Sequence, residues 1–279
     1  MSSLARPLKL PRAAASARLR RRRVVVPWLV LGLAFAAALV PGIFTSYDPI
    51  AGSGAALQAP SLEHWFGTDA TGRDVFTRVV HGAANSLSAA VIAVAVGLSA
   101  GSVLGLLAGN AGGALDAIIM RGVDVLLAIP SLLLALSIII LLGFGPAQAA
   151  VAVGVTSIAA FARLMRSRVI EVRASEYVEA AYASGGRTLG VVFRHILPNS
   201  LTAVLALAAL HLGTAILAIS TLGFLGYGAP PPTPEWGLMI AEGRDYVATA
   251  WWLTTLPGLV VIAVVLAANR LSSHLGRTR

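Results

Sequence analysis

Apolar and polar residues fall in long blocks along this chain. Apolar runs cover about Val24 to Phe44, Ser86 to Ala108, Val123 to Leu142, Pro146 to Leu164, Leu201 to Leu222 and Val247 to Ala268. Each approaches the ~20 residues that a helix needs to cross about 30 Å of hydrocarbon at 1.5 Å per residue. Six membrane spans are expected, and an even number puts both termini on one side. Two long polar intervals interrupt the pattern, Asp48 to His81 and Glu171 to Ser200.

The second interval has internal punctuation. Ser175 is placed to cap a helix whose first turn holds Glu176 and Glu179, where carboxylates sit well against the N-terminal partial charge. Gly185 and Gly186 are expected to stop that helix. A second short helix then starts at Thr188, and Pro198 is expected to end it. The prediction is two short helices at an angle, outside the bilayer and shaped to dock on another protein.

The first interval ends in a stretch that predicts a short interfacial helix. Val75, Phe76, Val79 and Val80 share a face, Asp74 and Arg78 are spaced to pair at i,i+4, and Gly82 closes it. After the fifth span, Gly223, Gly226 and Gly228 loosen the helix end, and Pro230 to Pro232 with Pro234 stiffen an external linker. Trp236, Tyr246, Trp251 and Trp252 are expected at the outer headgroup level.

Composition agrees with a membrane protein: 57% of residues are hydrophobic, 12% are charged and the mean hydropathy is +0.82. A soluble domain is excluded on those values. The fold class is all-α and polytopic. With no cysteine, a disulfide framework, a thiolate metal site and a cysteine nucleophile are all excluded.

The net charge of +9 would suit nucleic acid, but topology explains it better. All but three of the 21 lysines and arginines fall on one side of the six-span arrangement, the exceptions being Arg73, Arg78 and Arg244. The rich side includes Arg6, Lys9, Arg12, Arg18, Arg20 to Arg23, Arg121, six arginines between Arg163 and Arg194, and Arg270, Arg277 and Arg279. By the positive-inside rule that side is cytoplasmic.

The expected organisation is a basic cytoplasmic tail (1–23), a first span (24–44), an external segment (45–85), a five-span core (86–269) containing the cytoplasmic loop 165–200, and a cytoplasmic tail (270–279). The small residues Ala36 to Ala38 also fit a cleaved signal peptide, but the first run is long enough for an uncleaved span.

Gly97, Gly101, Gly105 and Gly109 repeat every four residues in the second span, a bare stripe on which a neighbouring helix can pack closely. The same residues make Gly97-Leu98-Ser99-Ala100-Gly101, which fits the nucleophile elbow of serine hydrolases but lacks its strand-to-helix turn. A membrane-embedded hydrolase using Ser99 and His211 is the alternative this leaves open, beside a non-transport scaffold or sensor. Arg121 and Asp124 are three apart and are expected to pair. His211, an ionisable residue inside the fifth span, is a functional candidate, but no second ligand stands near it, so no metal site is assigned. The only lysine is Lys9, so no G-x-x-x-x-G-K-[ST] phosphate loop exists. Energy for any transport must come from a partner.

Three stretches carry a family resemblance. Glu179-Ala180-Ala181, Gly185 and Ile196-Leu197-Pro198 resemble the EAA loop of permease subunits of ATP-binding-cassette (ABC) importers. His195 stands where the general pattern has isoleucine, and Arg-His-Ile-Leu-Pro-Asn is the usual reading in the dipeptide, oligopeptide and nickel branch. His64-Trp65-Phe66-Gly67-Thr68-Asp69 with Gly72-Arg73-Asp74 resembles the external signature of the C-type permease of that branch, except that Ala84 replaces a usual arginine. GFLGYGAPPPTPEWGLMIAEGRDY, with Pro231, Pro232, Trp236, Glu242, Gly243 and Arg244, resembles its carboxyl-terminal external signature.

The resemblance covers about His64 to Asn269. It implies a bacterial inner-membrane permease, without catalytic residues, that imports peptides, or nickel or another small solute. Its implied partners are a B-type permease, two cytoplasmic ATPases that bind ATP and Mg, an extracytoplasmic solute-binding protein and lipid, with no nucleic acid. The EAA loop would seat in a groove of the ATPase and couple ATP-driven closure to alternating access.

Overall fold

Proline and glycine decide where the helices of this chain break, and in several places they act differently from the sequence expectation. The computed structural model describes residues 12–275. Its helices are α1 (Arg12–Leu39), α2 (Val75–Ala111), α3 (Gly113–Ala128), α4 (Ser131–Leu142), α5 (Pro146–Arg173), α6 (Glu176–Ala183), α7 (Thr188–Val191), α8 (Leu197–Phe224), α9 (Trp236–Gly243) and α10 (Trp252–Leu275). No strand is found among the described residues, so the fold is all-α as expected. Arg6, Lys9, Arg277 and Arg279 lie outside the described residues, as do the side chains of Arg12, Arg18 and Arg20 to Arg23.

Among the described residues, four helices are long and apolar enough to cross a membrane: Val75–Ala111, Pro146–Arg173, Thr188–Phe224 and Trp252–Ser272. The expected third span, Val123 to Leu142, is instead broken: α3 and α4 meet at 97°. The cause is Pro130, which lacks an N–H and forces Ile129 before it into an extended conformation (φ −89°, ψ 128°). The apolar part of α1, Val25–Leu39, is shorter than the rest. The six expected spans thus correspond to four long helices, one bent pair and this shorter helix.

Two further expectations are corrected. The interfacial helix at Val75 is the beginning of α2, and Gly82 does not close it; Val75, Val79 and Val80 are buried. Gly82 faces Trp236, where a Cβ would come within 3.2 Å of the indole. Likewise Pro198 does not end the second loop helix. A π turn over Val192–Ile196 carries α7 into α8, with the Leu197 N–H donating to the Val192 carbonyl, and Pro198 takes a first-turn position where its missing N–H costs nothing. The last helix starts at Trp252, five residues after the expected Val247.

The most extensive helix contact joins α2 to α5. Gly97, Gly101, Gly105 and Gly109 face α5 along their whole length, so that a Cβ on Gly97 would meet Ser157 and Gly154, one on Gly101 would meet Phe161 and the Ile158 carbonyl, and one on Gly109 would meet Val169. At Gly105 the obstacle is the backbone carbonyl of Ala162. Gly154 of α5 returns the arrangement, facing Val96 and the Ala93 carbonyl. Backbone cannot yield as a flexible side chain can, so Gly105→Ala is expected to destabilise the bundle by about 1–3 kcal/mol. Gly122→Ala on α3, where a Cβ meets nothing within 4 Å, is expected to be silent. Thermal melting of the two variants in one detergent checks the contrast.

Candidate functional site

The two polar intervals lie at opposite ends of the bundle. At the end that the arginine distribution assigns to the outside, the Gly67-to-Arg78 stretch and the Pro231-to-Gly243 stretch form one interlocked cap. Gly67 and Gly72 make this possible: both adopt left-handed backbone (φ 73° and 76°), and Gly67 is pressed against the Gln58 carbonyl and the Trp252 indole. Thr68 is fully buried; its hydroxyl donates to the Ala55 carbonyl, and its own carbonyl accepts from Trp252 Nε1 at 3.2 Å.

Asp74 caps α2 by accepting from the Thr77 N–H at 2.7 Å, and its other oxygen meets His64 Nδ1 at 2.9 Å. The expected Asp74–Arg78 pair is therefore not formed. Arg78 is buried and reaches across the cap to Glu242 Oε2 at 3.0 Å, while also donating to the Pro232 and Pro49 carbonyls. Asp69 holds Arg73 Nε at 2.6 Å and stands 3.7 Å from Arg78 Nε. Burial raises the Asp69 carboxyl, but the backbone N–H groups of Arg73 and Thr71 and the Thr71 hydroxyl outweigh it and hold the group below its ordinary range. A cavity of about 290 Å³ opens over Asp69, Arg73, Arg78 and Glu242.

Trp236 and Trp252 are not headgroup anchors. Both are buried, and Trp236 Nε1 donates to the Val79 carbonyl of α2 at 2.9 Å; Trp251 beside them is exposed. Gly243 packs against Leu253. Pro231 and Pro232 are exposed at the cap surface, as is Arg244, whose nearest acid is Asp245 at 3.4 Å.

Glu235 does not stand out in the sequence, yet it is as buried as Asp74 in this cap. It accepts from the Gly237 and Leu238 N–H groups, both at 2.8 Å, which caps α9, and it meets the Ser86 hydroxyl of α2 at 3.3 Å. Its carboxylate fills the space left by Gly223 of α8. The one local signal for it is its place before a helix start in the spacing Glu235-Trp236-Gly237.

At the opposite end, α6 leads into the turn as expected. The Gly185 N–H donates to the Tyr182 carbonyl and the Gly186 N–H to the Ala181 carbonyl, with Gly185 left-handed at φ 84°. Ser175 occupies the cap position, but its hydroxyl donates backward to the Val172 carbonyl and makes no cap bond. Glu179 and Ala180 are exposed, Ala181 is half-buried, and Val178, Val191 and Ile196 anchor the unit against Met165 and Val169 of α5. Leu197 is half-buried and Pro198 exposed. Large apolar side chains also stand free here, with Tyr177 46%, Phe193 62% and Leu189 72% exposed.

Polar residues within the spans take partners close at hand. Asp124 pairs with Arg163 of α5 and not with Arg121. Ser99 donates to the Val96 carbonyl of its own helix, and His211 lies against the Phe161 ring, 4.8 Å between centroids. No group of three or more potential metal ligands occurs among the described residues.

The profile of the family described as "Binding-protein-dependent transport system inner membrane component" matches residues 101–278. The chain belongs to this family. Among its relatives, the dipeptide transport system permease protein DppC of Alkalihalophilus pseudofirmus is 41% identical over 90% of this chain and 82% of its own length. The probable D,D-dipeptide transport system permease protein DdpC of Escherichia coli is 42% identical over 77% and 72%. The glutathione transport system permease protein GsiD of Pectobacterium atrosepticum is 41% identical over 78% and 72%. Among solved structures, the inward-facing MetNI methionine ABC transporter matches 72% of this chain and 97% of its own, with TM-score 0.56 and 19% identity, a likeness of fold. The chain is thus a multi-pass transport permease of the ABC-importer type.

In this permease Glu235 offers a test of the cap. Burial raises its carboxyl above the ordinary range, against the opposing pull of the Gly237 and Leu238 N–H groups and Ser86. A carboxyl raised in the folded state contributes stability that is present below the unfolded value near 4.5 and is lost as pH rises through the folded value. Glu235→Gln, a mimic of the protonated form, is expected to fold and to flatten the decline in melting temperature above about pH 4.5. An unchanged pH profile would remove Glu235 as its source.

Proposed function

We propose that this permease imports peptides across a bacterial inner membrane, with a B-type permease completing the pathway. Two cytoplasmic ATPases would bind ATP and Mg and supply the energy, and an extracytoplasmic binding protein would deliver substrate to the Arg78–Glu242 cap. Peptide is the substrate class favoured by the dipeptide and glutathione permeases at 41–42% identity over most of this chain. The chain itself takes the part of pathway and lever, without an ATPase or hydrolase site of its own.

The observation that carries the coupling role is the form of α6 and the turn after it. Glu179 and Ala180 stand exposed on a short helix anchored from below by Val178, and exposed Tyr177, Leu189 and Phe193 surround it with apolar surface. Such an apolar patch on a polar end of the bundle needs a protein partner. We assign Glu179, Ala180, Ala181, Gly185, Ile196, Leu197 and Pro198 to it, the last three as the joint with α8. Gly67, Thr68, Asp69, Gly72, Arg73, Asp74, Pro231, Pro232, Trp236, Glu242, Gly243 and Arg244 are assigned to the outer cap.

The test uses the assembled importer in proteoliposomes. Glu179→Lys and Gly185→Pro are expected to insert normally but to lose at least tenfold in ATP-driven peptide uptake, or to release the ATPases on purification. Wild-type uptake by both would sink the coupling assignment.

A further inference from the structure

Two cavities of the permease share a wall. The first, about 320 Å³, is an apolar groove between α1, α2 and α10, lined among others by Leu33, Ala37, Val79, Ala83 and Ala263. Leu33 and Ala37 fall inside the apolar part of α1, Val25–Leu39. Val260 to Val264, on the facing wall, fall about 12 to 18 Å into the span that begins at Trp252. Leu33 and Ala263 are exposed at its mouth, so the groove opens onto hydrocarbon.

The second cavity, about 370 Å³, lies beyond the outer end of α1, between the Gly42-to-Tyr47 turn and the side chains of Glu63 and Trp65. Phe44 and Phe76 line both cavities and join them. The turn is fixed in place, because the Thr45 hydroxyl meets that of Thr77 in the first turn of α2 at 2.6 Å. An apolar slot in the membrane therefore continues into a polar chamber at its outer edge.

The charge of the chamber is one-sided. Glu63 and Asp74 line it, and no lysine or arginine among the described residues lines either cavity. Asp74 is already held by the Thr77 N–H and His64, but Glu63 is exposed and makes no hydrogen bond or ion pair with any described residue. Tyr47 and Trp65 add aromatic surface that attracts a cation, the Trp65 ring lying 5.0 Å from that of Phe76. The Ser46 hydroxyl, the Tyr47 phenol and the Trp65 indole N–H have no partner among the described residues, which leaves three neutral donors for an anionic oxygen.

We propose that the two cavities form one site for a zwitterionic phospholipid of the outer leaflet. Its ammonium lies beside Glu63 and Asp74, its phosphate takes the neutral donors, and one acyl chain fills the groove. A headgroup of net negative charge meets the same two carboxylates with no cation to offset them, so charge selects against it. The chain in the groove restores the packing contacts that a gap between α1 and α10 forfeits. The inference is independent of the solute that the importer carries.

The test is native mass spectrometry of the assembled importer, delipidated and then offered equal phosphatidylethanolamine and phosphatidylglycerol. The wild type is expected to retain one phosphatidylethanolamine per copy of this chain, with at least a fivefold preference. Glu63→Gln, at an exposed position, is expected to cut that preference at least threefold. Ala263→Phe, which fills the groove from its mouth, is expected to lose the retained lipid. Equal retention of both lipids by the wild type, or wild-type retention and preference in either variant, would overturn the proposal. So would efficient crosslinking of Ala263→Cys, the one cysteine in an otherwise cysteine-free chain, to the second permease, since the groove would then hold a protein.

Discussion

The contact between α2 and α5 is the constraint on which the rest of the permease depends. Lipid offers no hydrophobic reason for two apolar helices to associate, so close packing of their surfaces must supply it. Four glycines on α2 bring its backbone against α5, and Gly154 does the same from the other side. With these helices fixed side by side, the other elements have defined places. The long α2 carries the outer cap on its first turns, and α5 carries the loop unit beyond its last.

The cap is a second kind of problem. Its backbone leaves the helical pattern between Thr45 and Asp74 and again between Leu225 and Glu235, and the polar groups so freed need partners. Arg78, Glu235, Thr68 and Trp236 serve as those partners, each donating to or accepting from segments far away in the chain. Arg78 and Glu235 are buried because they cross-link loops that helix packing cannot hold. The broken span between α3 and α4 is tied to α5 by the Asp116–Arg166 and Asp124–Arg163 pairs, while its apolar side chains Ile118, Val125, Leu133 and Ile140 are largely exposed.

What is legible in the sequence follows from the range of the signal. The apolar runs, the glycine stripe and the Gly185 stop each depend on residues a few positions apart, and local spacing is enough to read them. The partners of Asp74, Arg78 and Asp124 are misread for the complementary reason. An i,i+3 or i,i+4 neighbour is at hand, but tertiary packing offers His64, Glu242 and Arg163 instead. Trp236 and Trp252 mislead in the same way, since an aromatic in an external loop looks identical whether it meets headgroups or a buried carbonyl. Pro130 and Pro198 show that a proline does not have one outcome. The first breaks a span at 97°; the second is absorbed by a π turn at the start of α8.

That absorption bears on how the two ends of the permease communicate. A chain break at Pro198 would have left the loop unit hinged to the bundle, free to follow a partner without moving anything else. The π turn instead joins α7 to α8 in one helical body that runs to Phe224 and meets the Glu235 cap at Gly223. Val191 and Ile196 are meanwhile packed with Met165 and Val169 of α5. Under the proposed coupling role, displacement of α6 must therefore tilt α8 and α5 together or strain a fully buried contact. Close-packed interiors resist continuous deformation, so the favoured response is a switch between two discrete packings. The bend at Pro130, where α3 and α4 meet at 97°, is the break between helical bodies at which such a switch can be accommodated.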